Sequence, residues 1–335
     1  MTTPSGPLKH LIDQAQQGGP IRVAVVDAAQ GLVIDTLREA HALGIIEPRL
    51  IGAPEAIASA CRDLGWKTDD DWIIPTSSDQ AAAVKATQLV QAGDADAIMK
   101  GNIHTDVLMR ALLDNERGLR LAGRRVSHVF LAEVPSRRKF LGITDAAINI
   151  APDLSAKAQI LRNAIELFHL IGIETPKAAV LSAVETVNPD IVSTLDAASL
   201  TLMARRGQIA GALVDGPLAF DNAISAKAAK EKGIISEVAG DADIVLVPDL
   251  VSGNILAKNL EYLAGAVAAG VVVGLKAPVV LSSRADPPAA RLAGLALASL
   301  MHHRSAEAIP VREVAPEASL SCAPQPEHAC CPLSG

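Results

Sequence analysis

Along the chain, short apolar runs alternate with longer stretches in which apolar positions recur every three or four residues. Ile21 to Val26, Arg49 to Gly52, Trp72 to Pro75 and Ala95 to Met99 have the first character. Gly31 to Leu43 and Ser78 to Ala92 have the second. Continuous apolar runs bounded by turn residues read as buried strands and a 3.6-residue period reads as helix, so the alternation predicts a parallel sheet covered by helices.

The series continues through Val126 to Ala132 and is then broken by the polar stretch Glu133 to Lys139, a hairpin or a crossing between domains. A second set of strand-like runs follows at Phe140 to Ile143, Ala178 to Leu181, Ala210 to Val214, Ile244 to Val247 and Pro278 to Leu281. Its helices carry clear punctuation. Asn188 can cap orphan amides, Pro189 fits a first turn, and Arg205-Arg206-Gly207 supplies a cationic end and a left-handed stop. Ser155 precedes the stripe Ile160, Leu161, Ala164, Ile165 and Phe168, which ends near Gly172. The last helix, about Pro287 to Met301, is too apolar to stand free. These signals predict a first α/β domain from residues 1–140 plus 285–312, a second from 141–284, and a disordered tail over 313–335.

Composition narrows the picture. Of 335 residues, 50% are hydrophobic and only 2% aromatic, so the core is built from Ala, Val, Leu and Ile, which suits helices on parallel strands. A net charge of −7 disfavours a nucleic-acid partner, because phosphate-backbone binding needs a basic face. Met1 to Gln17 reads as a helix rather than a secretion signal, and the weakly polar run Ala264 to Leu281 is interrupted by Gly270, Gly274, Lys276 and Pro278. A soluble, cytoplasmic protein with no membrane span is expected. Cys61 lies in a predicted helix and Cys322, Cys330 and Cys331 in the tail, which is no disulfide framework. His328, Cys330 and Cys331 lack a second ligand cluster, so no metal site is expected.

Polar, non-periodic clusters fall just after the strand-like runs: Lys100 to Thr105, Thr144-Asp145, Ser182 to Asn188, Asp215 to Asp221, Pro248 to Asn254 and Ser282 to Asp286. Carboxyl ends of parallel strands are where α/β proteins bind ligands. The segment Ser282 to Asp286 follows Val279-Val280-Leu281 and precedes Pro287-Pro288, so its amides, with Arg284 beside them, would form an anion site. A plainer reading makes Asp286 an N-cap and Arg284 a surface ion-pair partner. His104 has no ligand partner at i+3 or i+4 and His128 lies in an apolar run, so both read as packing or hydrogen-bonded histidines. Neither a G-x-x-x-x-G-K-[ST] loop nor a G-x-G-x-x-G turn occurs, the first strand being followed by Asp27-Ala28-Ala29-Gln30-Gly31.

Taken together, Met99 to Thr105, Val126 to Phe130, Ile143 to Ala147, Val214 to Ala223, Pro248 to Asn254 with Lys258, and Ser283-Arg284-Ala285-Asp286 resemble the phosphate acetyl/butyryltransferase family, over roughly residues 10–305. The S-R-A-D form is most similar to the butyryl-type or hydratase-fused branch. The resemblance implies two three-layer α/β/α domains with a cleft between them, of the isocitrate dehydrogenase-like kind, and a homodimer. It also implies transfer of a short acyl group between coenzyme A and inorganic phosphate, with coenzyme A as substrate and no cofactor. On that pattern Ser283 and Arg284 contact the acyl phosphate, and Lys100, Thr144 and Asn254 join them. Asp286 is nominated as base, with Asp221 second, because the acid of the acetyl-type pattern falls here on Pro287-Pro288-Ala289-Ala290. Arg110, Arg124, Arg125 and Lys258 are the candidates for the coenzyme A phosphates. Rival readings are an NAD- and metal-dependent dehydrogenase on the same fold, an enzyme taking long acyl chains from a carrier protein, and a non-catalytic regulator binding coenzyme A or acyl phosphate.

Overall fold

The computed structural model describes residues 6–282 and 286–305, so Ser283, Arg284 and the tail predicted over 313–335 lie outside the described residues. Its strands are β1 (Ile21–Val26), β2 (Ile46–Gly52), β3 (Ile73–Pro75), β4 (Ala97–Lys100), β5 (Ser127–Glu133), β6 (Leu141–Thr144), β7 (Lys177–Leu181), β8 (Leu213–Leu218), β9 (Ile244–Leu246), β10 (Val267–Val273) and β11 (Val279–Val280). The helices are α1 (Pro7–Gln17), α2 (Gly31–Ala42), α3 (Pro54–Asp63), α4 (Asp79–Ala92), α5 (Thr105–Leu112), α6 (Leu154–Leu170), α7 (Val192–Arg205), α8 (Phe220–Ile224), α9 (Ala226–Glu231), α10 (Leu250–Ala264) and α11 (Pro288–Ser305).

All the described strands join one sheet, in the order β3-β2-β1-β4-β11-β10-β5-β6-β9-β7-β8. The first five in that order are mutually parallel, and so are the last four. Between them β10 runs antiparallel to both β11 and β5, and β5 antiparallel to β6. The sheet is therefore mixed, where the alternation had predicted a parallel one, and its two parallel halves point in opposite directions. The difference lies in β10: Val267-Ala-Ala-Gly-Val-Val-Val has no period, and it returns to β11 through a short turn rather than a crossover helix.

Alternation across the pleat sorts the apolar side chains. Val23, Val25, Met99, Val280, Val271, Val129, Leu246 and Val180 enter one continuous cluster with residues of α1, α2, α3, α6, α7 and α11. On the opposite face the apolar residues fall into separate groups. Val26, Ile98, Val279, Val272 and Leu281 pack with α4 and α5, whereas Ile143, Val245, Ala179 and Leu181 pack with α8 and α10. His128 of β5, paired with Val272, and Gly270 of β10, paired with Phe130, lie where the two groups part.

The predicted final helix is α11. It is buried on all sides from Ala290 to Leu300 and packs against α1, α2, α6, β4, β10 and β11. A Cβ at Gly294 would stand 2.7 Å from Val280 Cγ1, so the helix is seated directly on β11. Each fully buried Leu on it contributes roughly 1.5–3 kcal/mol.

Several predicted boundaries move. The cap of α6 is Asp153, whose carboxylate accepts from Ala156 N at 2.7 Å, with Ser155 already inside the helix. Helix α7 begins at Val192, and Asn188 instead closes a turn by accepting from Asp190 N. The strand expected at Ala210 to Val214 runs from Leu213 to Leu218. Pro248 to Asn254, expected as loop, contains the start of α10, fixed by a capping box in which Ser252 N donates to Asp249 Oδ1 at 2.8 Å.

Candidate active site

The first carboxyl-end cluster is held by backbone. Asp27 takes a left-handed φ of 54° after β1, and its carbonyl accepts from Asn102 N at 2.9 Å. A Cβ at Gly101 would stand 2.2 Å from that carbonyl oxygen, so only glycine permits the approach. Lys100 ends β4 buried, with Nζ donating to Gly101 O at 3.4 Å. His104 precedes α5 as its N-cap residue but supplies no side-chain cap.

A second cluster forms where β6 ends. The Thr144 hydroxyl is buried and donates to His128 O at 2.8 Å. Asp145 is 2% exposed and is spent on its own loop. Its Oδ1 accepts from Ala147 N and Ile148 N, both at 2.9 Å, and its Oδ2 from Asn149 Nδ2 at 2.6 Å and His128 N at 3.2 Å. The N-terminal turn of α10 lies against this loop: Asn254 Nδ2 donates to Ala146 O at 3.4 Å, and a Cβ at Gly253 would stand 3.0 Å from Asp145 O.

Between these clusters Lys258 of α10 reaches Asp286, with Nζ 3.7 Å from Oδ1. The pair joins the two sides of the divided face, since α10 packs with the second apolar group and Asp286 follows β11, which packs with the first. Burial works against the Lys258 ammonium, but its bond to Glu261 at 2.7 Å and the Asp286 charge raise its pKa overall. Arg291, on α11, is 1% exposed. Burial lowers its pKa while the charge of Asp286 opposes that.

The other nominated residues stand elsewhere. Asp221 is on α8 with Lys232 at 3.7 Å, beside Glu185, which holds the same lysine at 3.1 Å. Arg110 is exposed and loosely paired with Asp106 at 3.9 Å. Arg124 bonds Glu166 and Asn163 and lines a cavity of about 160 Å³ between α6 and α11, on the continuous face. Arg125 donates to Asn149 Oδ1 at 3.0 Å and so braces the residue that braces Asp145. Of the four cations nominated for coenzyme A, only Lys258 adjoins Asp286 among the described residues.

Sequence reasoning nominated neither Arg291 nor Asp145, and it set His128 aside. The signal for Arg291 is legible in retrospect: one arginine in the first turns of an otherwise apolar helix, five residues after an acid, can be buried only with a partner. His128 gives a correction. It was expected to be a satisfied histidine, yet its Nδ1 has no hydrogen-bond partner among the described residues.

A family model described as "Phosphate acetyl/butaryl transferase" matches residues 75–297, from the end of β3 into α11. A phosphate acetyltransferase of Rhizobium meliloti is 47% identical over 304 residues, covering 89% of this chain and 94% of that protein. A phosphate butyryltransferase of Clostridium acetobutylicum is 42% identical over 280 residues, covering 84% and 93%. Among solved structures, a branched-chain phosphotransacylase from Enterococcus faecalis superposes with a TM-score of 0.73 at 32% identity, covering 84% of this chain and 99% of that one. With the matched segment carrying β4, β6, α10, β11 and Asp286, the chain belongs to the phosphate acetyl/butyryltransferase family.

Proposed function

We propose that the protein is an acyltransferase that reversibly moves a short acyl group between coenzyme A and inorganic phosphate, giving an acyl phosphate, with acetyl first and propionyl or butyryl as alternatives. Beyond family membership, the observation that carries this reading is the Asp286–Lys258 pair at 3.7 Å across the divided face of the sheet. It puts a proton carrier and a cation at the carboxyl end of β11, where the reactants must meet. In this reading the finer architecture is two α/β/α lobes with the reaction in the cleft between them, an arrangement that the divided apolar packing on one face supports.

In the forward direction a phosphate oxygen attacks the thioester carbonyl carbon, the carbon–sulfur bond breaks, and the phosphate proton passes to the departing sulfur. Asp286 accepts and returns that proton. In reverse a thiol of ordinary pKa about 8.5 must lose its proton, and the Lys258 ammonium favours the thiolate electrostatically. Holding both reactants in near-attack geometry offsets roughly 7–11 kcal/mol of the barrier, so no covalent intermediate is needed. Ser283 and Arg284 take the phosphoryl group in this reading, Lys258 the sulfur end of coenzyme A and the exposed Arg110 its phosphates, and two copies of the chain form the working enzyme.

The test is direct. Pure protein is incubated with acetyl-, propionyl- or butyryl-coenzyme A, with and without phosphate, and free thiol is measured. Phosphate-dependent release is expected, fastest with acetyl; none with any of the three refutes the function.

A further inference from the structure

The imidazole of His128 is 1% exposed, yet its Nδ1 meets no hydrogen-bond partner among the described residues. A buried polar atom left in that condition is costly, and a Phe or Leu would fill the same space without the cost. Its natural partner is committed elsewhere: Asp145 accepts the His128 backbone N–H and four further amide N–H groups of its own loop, not the ring.

The ring is also held in place. The edge of Phe130 meets it at a centroid distance of 4.4 Å and an angle of 72°. Across the strand, Nε2 lies 2.9 Å, and the Leu281 carbonyl oxygen 2.6 Å, from the point where a Cβ of residue 270 would stand. Gly270 thus leaves room for both the ring and the carbonyl of Leu281, the residue that follows β11 and precedes Ser282. This is the parting of the two apolar groups, on the face of the sheet where α4 and α5 pack to one side and α8 and α10 to the other.

Burial lowers the pKa of His128 to about 4, against the pull of the Asp145 charge, so at neutral pH the ring is uncharged and carries one N–H. Buried donors are left unsatisfied more rarely than buried acceptors, which puts the hydrogen on Nε2, on the side of Leu281, and leaves Nδ1 as the lone acceptor.

We infer that His128 is a further catalytic residue: its Nε2–H donates a hydrogen bond to the acyl carbonyl oxygen and stabilises the oxyanion that forms when phosphate attacks the thioester. The inference rests on the acyl-transfer function proposed above. No proton leaves His128; the phosphate oxygen–carbon bond forms, the carbon–sulfur bond breaks and the phosphate proton goes to sulfur as before. Removing one such donor costs on the order of 10²–10³ in kcat.

The experiment compares wild type, H128L and H128Q. Leucine keeps the apolar volume and removes the donor, whereas glutamine restores an amide N–H near the position of Nε2. The expected result is a fall in kcat of about 10²-fold or more for H128L with KM for coenzyme A unchanged, and recovery to within about tenfold of wild type in H128Q. An H128L enzyme within threefold of wild type overturns the role, as does an equal loss in both variants, which would mark His128 as packing. Should H128L not fold, the ring-nitrogen NMR shifts of His128 in the wild type decide: acetyl phosphate must move them and inorganic phosphate alone must not, and no movement with acetyl phosphate overturns the inference. A wild type without phosphate-dependent turnover removes the function and this role together; an active wild type beside an equally active H128L removes His128 alone.

Discussion

Gly270→Ala adds one methyl group at a point where the structure has no room for it. Its Cβ would stand 2.6 Å from Leu281 O, 2.9 Å from His128 Nε2 and 3.2 Å from Phe130 Cε1. The nearest of these is backbone, and it cannot retreat freely because Leu281 N donates to Gly270 O at 3.0 Å across the same pair of strands. Alanine gains roughly 0.5–1 kcal/mol over glycine in a strand interior, while overpacking of this kind costs about 1–3 kcal/mol. The net expectation is a loss of about 1–2 kcal/mol, seen as a fall in Tm of roughly 2–4 °C. Because the displaced groups are His128 and Leu281, kcat should also fall, by at least about tenfold. Gly31→Ala is the control: nothing lies within 4 Å of its Cβ, at the first residue of α2, and stability should change by no more than about 0.5 kcal/mol. Thermal unfolding and steady-state thiol release on both variants settle the matter. A Gly270→Ala protein as stable and as fast as wild type would refute the close packing over residue 270.

Asp286→Asn should lower kcat by about 10²–10⁴ and Asp221→Asn by less than tenfold, because, of the two, Asp286 pairs with Lys258 and its charge acts on Arg291. Steady-state rates showing the reverse order would transfer the base role to Asp221. Lys258→Ala should raise KM for coenzyme A by about tenfold, or ~1.4 kcal/mol, and an unchanged KM removes Lys258 from the coenzyme A site. Acid stability reports on His128. Its folded pKa of about 4 lies below the unfolded value of about 6.5, so the unfolded chain binds the proton first. Stability from this group is full above pH 6.5 and declines as pH falls toward 4, by up to roughly 3 kcal/mol. Urea unfolding of wild type and H128L across that range should diverge, and parallel curves would contradict burial of an uncharged ring.

Much of the fold is legible from local pattern because most elements carry their own signal. The α6 stripe, the Arg205-Arg206-Gly207 stop and the strands β1, β4, β7 and β9 all lie near where periodicity and capping residues put them. Helix α10 was hidden because Pro248-Asp249-Leu250-Val251-Ser252-Gly253-Asn254 reads as a turn. Gly253 is there for a tertiary reason: a Cβ would meet Val247 Cγ2 at 2.7 Å. The site is legible in its parts and not in its assembly. Lys258 and Asp286 were both nominated, for different roles, and their contact arises only from tertiary packing, since one stands on α10 and the other follows β11. His128 was hidden by its neighbours, since an apolar run says that a residue is buried and nothing about whether its ring nitrogens find partners.

The divided face follows from the order of the strands. Parallel neighbours need a crossover, and the crossover brings a helix that covers the sheet. The parallel halves therefore arrive with α4 and α5 on one side and α8 and α10 on the other. Strand β5 is reached from β4 through α5 and β10 from β9 through α10, and short antiparallel connections lead on from β5 to β6 and from β10 to β11. On one face the reversal is covered by α11, which is buried on all sides and lies on β4, β10 and β11 together. On the other face the apolar packing parts over His128 and Gly270. A sheet that reverses direction at its centre thus divides its apolar packing on one face, and His128 stands at the divide while Lys258, from one side, meets Asp286, from the other.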